Sequence, residues 1–157
     1  MAMVDYDYYN AGFSGTIITD EDEFNRCLKK ATVFLNKLTY SQISQNEGGE
    51  YGLWHGLQFI SFTDSELSML KNGLCGLTET IYQLSKVETQ SLEGNENNNN
   101  IKTRSSGGES ISYERQNTVY DEALKDSKKR TALYRSSLME WIDVDAFRYN
   151  PFFAGDK

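Results

Sequence analysis

Thr63-Asp-Ser-Glu-Leu-Ser-Met-Leu-Lys-Asn-Gly-Leu-Cys-Gly-Leu-Thr-Glu-Thr-Ile-Tyr-Gln-Leu84 holds both a helix start and a helix face. Thr63 and Glu66 have the spacing of a capping box, in which hydroxyl and carboxylate each take an amide at the helix entrance. Phe62 and Leu67 flank the box as a hydrophobic staple. Leu67, Leu70, Leu74, Leu77, Ile81 and Leu84 then alternate at steps of three and four, the spacing of a helix–helix seam. The helix is predicted to run to about Gln90. Gly73 and Gly76 weaken it by about 1 kcal/mol each and leave room for another backbone to come close.

On the N-terminal side, a helix starts at Thr19 or Asp20, and Asp20 with Glu23 makes a second capping box. Its acidic first turn suits the positive end of the helix dipole. Phe24, Cys27, Leu28, Ala31, Leu35 and Leu38 supply an apolar stripe to about Leu38. Residues 1–18 are rich in Tyr, Phe and Gly and read as an ordered arm rather than a helix. Residues 40–62 mix glycines with Tyr51, Leu53, Trp54, Leu57 and Phe59. The glycines argue against a regular element and the aromatics against a linker. The reading is a packed loop with a short helix near Trp54–Ile60.

On the C-terminal side, residues 91–100 form an Asn-rich insertion with nothing to bury, predicted to lie on the surface. Residues 101–113 read as a β-hairpin turning at Ser106-Gly-Gly-Glu109, with Ser and Thr on both arms. Such a ribbon has no apolar face of its own and is marginal alone in water. Thr118 caps a third helix with Asp121 at its N3 position. Two courses remain open for it: one helix to about Asp143, or a break near Thr131. The tail, residues 144–157, is aromatic and holds the only proline, Pro151. The predicted class is mainly α: a small helical bundle in a single domain, 1–157, with one protruding hairpin and an aromatic C-terminal tail.

Composition narrows the function. The chain of 157 residues is 38% hydrophobic and 25% charged, as in folded soluble proteins. No apolar run approaches the roughly 18 residues of a membrane span, so no membrane partner is expected. The start, Met1-Ala-Met-Val-Asp-Tyr6, lacks a basic-then-apolar signal pattern, which gives cytoplasmic synthesis as the expectation. The net charge of −7 disfavours general nucleic-acid binding. Acids crowd the first 24 residues, while Lys125, Lys128, Lys129, Arg130 and Arg135 form a basic cluster. Solvated helix faces account for this, and self-association can use it.

Catalytic chemistry is sparse. His55 is the only histidine, and no motif sets a nucleophile or orienting acid beside it. Cys27 and Cys75 fall on apolar stripes and read as buried free thiols, too few for a disulfide scaffold. Ser106-Gly-Gly108 lacks the Gly-Lys-Ser/Thr end of a phosphate loop. The acids of 20–23 do not have calcium-loop spacing. The expectation is no catalytic residue, no cofactor and no metal.

The order of parts resembles the head–tail connector (head-completion, or adaptor) family of tailed bacteriophages. The pieces are Tyr8-Tyr9 and Gly15-Thr16 before an acidic cap, and Asp22-Glu23-Phe24 opening a helix with Ala31 and Leu35. Lys37-Leu-Thr39 closes it. A Leu-rich second helix follows, then the Ser105–Tyr113 ribbon, and last Thr131-Ala-Leu-Tyr-Arg135. The aromatic loop 40–62, the Asn-rich insertion and the tail after Arg135 depart from the family pattern. The resemblance implies a helical bundle with a protruding hairpin, about a dozen copies closing into a ring by cyclic symmetry. It further implies docking on the portal protein, contact with a tail or stopper protein, and passage of duplex DNA without sequence-specific binding. The site would be the head–tail interface of a virion assembled in a bacterial host's cytoplasm.

The interface residues expected on this reading are Ile111 and Tyr113 on the ribbon, Tyr134 and Arg135, and the aromatics Trp141, Phe147, Tyr149, Phe152 and Phe153. Aromatic side chains dominate interface hot spots. The other reading is a small cytoplasmic helical adaptor or regulator that binds a protein partner through its hairpin and tail. A ribbon can add to a partner's sheet edge.

Overall fold

The two runs with the clearest helical spacing form the two longest helices. The computed structural model describes residues 3–39, 41–55, 57–97, 103–106, 109–112 and 118–143. Helix α1 spans Glu21–Leu38, and Asp20 caps it by accepting the Glu23 amide at 2.9 Å. Its stripe, Phe24, Cys27, Leu28, Ala31 and Leu35, is buried, and Leu38 is half-buried. Helix α2 spans Asp64–Asn97. Its box is complete: Glu66 N donates to Thr63 Oγ1 at 3.2 Å, and Thr63 N donates to Glu66 Oε2 at 2.8 Å. Leu70, Leu74, Leu77, Ile81 and Leu84 are buried, and Leu67 is half-buried. The helix passes the expected end at Gln90 and takes in residues 91–97 of the Asn-rich segment.

The loop expected over 40–62 is instead a three-stranded antiparallel sheet, with strands in sequence order. β1 is Ile43–Gln45, β2 is Tyr51–His55 and β3 is Gln58–Ser61. Among the described residues, strands β2 and β3 stand where a short helix is expected near Trp54–Ile60. The glycines serve the sheet. Gly49 takes a positive φ of 84° in the β1–β2 turn, where Asn46 O accepts its amide at 3.0 Å. A Cβ on Gly52 would lie 2.2 Å from the Ile60 carbonyl oxygen, so β2 and β3 need a glycine there. Alternation sends Leu53, paired with Ile43 and Ile60, to one face and the Trp54–Phe59 pair to the other.

The N-terminal segment is ordered, as expected, yet it includes a helical turn. Tyr8–Gly12 is π-helical, closed by Phe13 N donating to Tyr8 O at 2.9 Å and entered with Tyr8 N on Asp5 Oδ1 at 2.7 Å. The turn buries Tyr9 completely. Its ring meets Tyr6 at 5.9 Å, Phe13 at 5.9 Å and Phe24 at 4.8 Å. Gly15 packs on that ring so closely that a Cβ would come within 2.1 Å of it.

The third helical region is two helices. α3, Val119–Lys125, begins with the expected box, in which Thr118 Oγ1 accepts the Asp121 amide and Asp121 accepts the Thr118 amide. α4 is Ser127–Met139. The break lies at Asp126, not near Thr131. Asp126 turns extended, and its Oδ1 accepts the Lys128 amide at 2.8 Å, acting as the cap of α4. Thr131 continues the helix.

The chain forms two compact units, Met1–Tyr82 with Tyr134–Lys157, and Gln83–Leu133. In the first, Val4, Tyr9 and Ile18 join the stripes of α1 and α2 with Leu138 of α4 in one apolar core. Thr80 and Ser137 share a hydroxyl hydrogen bond of 2.6 Å between α2 and α4. In the second, β4 (Thr103–Ser106) and β5 (Glu109–Ser112) pair antiparallel as the predicted hairpin. Tyr120 of α3 donates its hydroxyl to Gln83 Oε1. The molecule is mainly helical, with these short antiparallel strands as the β content of the described residues. The aromatic tail, 144–157, lies outside the described residues.

Candidate functional site

Packing the apolar stripe of α1 inward turns its other residues to solvent. Arg26, Lys29, Lys30, Val33 and Lys37 are exposed. No Asp or Glu occurs between Glu23 and Glu47, so this face is cationic in an acidic chain. A groove of about 340 Å³ opens on it, lined by Lys29, Lys30, Val33, Phe34, Lys37 and Tyr134. Its floor is apolar: the Tyr134 ring meets Phe34 edge-on at 5.2 Å and 84°. A wider groove of about 770 Å³ shares Lys29 and Val33 and reaches Met3, Ile43, Tyr51 and Leu74.

The residues expected at an interface are spread over several places. Tyr134 lines the smaller groove, half-buried. Arg135, next to it on α4, is half-buried. Trp141 is 38% exposed and packs on the two α2 glycines. Its Cβ lies 3.5 Å from where Gly73 would carry a Cβ, and its indole Nε1 lies 3.3 Å from that point on Gly76. Phe13 meets the same indole edge-on at 5.8 Å. Side chains, rather than the expected second backbone, fill the room at Gly73, and at Gly76 the backbone atom close by is the chain's own Ser137 carbonyl oxygen at 3.8 Å. Ile111 sits on β5 opposite Arg104 of β4. Tyr113, Phe147, Tyr149, Phe152 and Phe153 lie outside the described residues.

Two surfaces were missed from the sequence. One is the α1 groove, whose signal was legible as a run of bases without acids after Glu23. The other is the outer face and turn of the β2–β3 hairpin. Trp54 is 43% exposed there, Leu57 is fully exposed, and the Trp54 and Phe59 rings meet at 5.2 Å. That surface has no signal in the sequence, because glycines among aromatics read as a packed loop.

The thiols are unsuited to nucleophilic work. Cys27 and Cys75 are buried and free. Burial pushes the Cys27 thiol up, and burial with the nearby Glu79 charge pushes Cys75 up to about 12. Among the described residues, no three His, Cys, Asp or Glu side chains converge as a metal site. The described surface carries a cationic groove with an apolar floor and an exposed apolar pair, Trp54 and Leu57, on the β2–β3 hairpin. No protein-family model, curated protein or solved structure matches the chain.

Proposed function

We propose that the chain is a non-enzymatic structural subunit of a ring at the head–tail interface of a tailed phage. The ring docks on the portal, receives the tail or a stopper protein, and leaves a hole through which duplex DNA passes. The observation that carries the reading is the β4–β5 ribbon, Thr103–Ser112, which has no third strand among the described residues. A two-stranded ribbon is marginal in water. Its Ser- and Thr-rich arms give it little apolar surface of its own, so a neighbouring copy or the portal is its natural support. The order of sequence pieces shared with head–tail connectors supports the same reading.

The test is assembly with purified portal protein, followed by electron cryomicroscopy of the complex. A ring of this chain seated coaxially on the portal is the expected result. A chain that ignores the portal and captures one unrelated protein as a single copy favours the adaptor reading instead.

A further inference from the structure

Helix α1 is split by charge. Asp20, Glu21, Asp22 and Glu23 stand at its start, and Arg26, Lys29, Lys30 and Lys37 follow. Asp20, Glu21 and Asp22 are exposed, and Ile17, just ahead of them in the chain, is 40% exposed. The smaller groove has the complementary make-up: Lys29, Lys30 and Lys37 around a floor of Val33, Phe34 and Tyr134. Ion pairs among the described residues include Arg26–Glu23 and Lys129–Glu122, and none there involves Lys29, Lys30 or Lys37. Both patches ride on one helix. Glu21 and Val33 are separated by about 18 Å at 1.5 Å per residue, so a copy cannot bring its own acidic end to its own groove.

We infer that the acidic end of α1 in one copy, Ile17 with Asp20, Glu21 and Asp22, seats in the cationic groove of the next copy. Ile17 meets the apolar floor while the carboxylates face Lys29, Lys30 and Lys37. The inference rests on the ring reading above and names its subunit contact. Opposite charges attract more strongly at a partly dried interface than across open water. They also steer the encounter and fix its register. Donated to one neighbour and received from the other, the contact is head-to-tail, the kind that closes into a ring when its rotation allows.

Charge swapping in the full chain tests it. One variant reverses the groove (Lys29→Glu with Lys30→Glu), one reverses the end (Glu21→Lys with Asp22→Lys), and a third carries all four changes. Circular dichroism checks folding, and light scattering at low and high salt reads assembly, with and without portal. Each double variant should lose assembly, while the four-fold variant, or an equal mixture of the two doubles, should regain it. High salt should weaken assembly of the original chain through screening. As a second measurement, a mixture of Asp22→Cys and Lys30→Cys chains should cross-link on mild oxidation, since Cys27 and Cys75 are buried. Double variants that assemble normally, a four-fold variant that stays apart, or no cross-link would overturn the contact while leaving the ring reading standing. Loss of portal binding with self-association intact would overturn it too. An original chain that is monomeric under every condition would overturn both.

Discussion

Tyr9 shows what one side chain can organise. Its hydroxyl donates to Glu79 Oε1 at 2.7 Å and accepts the amides of Ile17 at 3.1 Å and Ile18 at 3.0 Å. The N-terminal segment, α2 and the approach to α1 therefore meet on one oxygen. Tyr9→Phe keeps the ring and removes that oxygen, leaving the carboxylate and two amides short of a partner. A loss of about 1–3 kcal/mol is expected, read as a lower urea midpoint. Burial, and next the Glu79 hydrogen bond, push the Tyr9 hydroxyl up to about 12. An unfolded tyrosine titrates near 10, so about that pH marks the upper limit of Tyr9's full stabilisation. The contribution is fully present below that value and is lost as pH rises toward 12. Urea midpoints of the original chain and the Phe variant should converge over that window. Equal midpoints at neutral pH would contradict the role. The aromatic, glycine-rich start was legible in the sequence, and so were the two buried thiols. The Tyr9–Glu79 pairing was not, because 70 residues separate the partners and neither pattern points to the other.

Elements with a local signature were legible, the β4–β5 hairpin among them through its Ser-Gly-Gly-Glu turn, whereas the β1–β2–β3 sheet was not. The boxes at Thr63 and Thr118 and the cap at Asp20 use groups within three residues of each other, so spacing alone reveals them. The sheet uses strands as short as three residues, and Gly52 inside β2 reads as a breaker until its partner is known. Gly52→Val should unpair β2 from β3 because the obstacle is backbone, the Ile60 carbonyl. A stability loss of about 1–3 kcal/mol with the helical circular dichroism retained is expected. An unchanged urea midpoint would show that the strands can move apart freely. Asp126 carried a cap signal, because Asp and Ser favour N-caps over helix interiors, but the less apolar turns at Ser127 and Thr131 left the position of a break open. On the ribbon, Gly107-Gly108→Val-Val should leave the helical signal intact and impair assembly, since it alters only the turn that the sequence predicts there. Global unfolding of that variant would show that the ribbon supports its own unit instead.

For the molecule as a whole, the acidic net charge of −7 hides a cationic face on α1. A sequence-wide sum cannot show this, because helix packing is what gathers Lys29, Lys30 and Lys37 around Phe34 and Tyr134. Among the expected interface residues, Tyr134 is legible in the sequence, whereas the spacing of α1 shows its core stripe and not the groove beside it. A ring built from such subunits needs each copy to offer two different surfaces, and α1 alone carries two of opposite charge. If those surfaces pair, assembly should weaken with salt, because exposed charges are screened within about 10 Å at ordinary ionic strength. Native mass measurement of the full chain, alone and with purified portal, tests whether it is a ring subunit. The account predicts one closed assembly of fixed stoichiometry, either formed by the chain itself or templated by the portal. A strict monomer at every concentration that also leaves the portal unbound would contradict it.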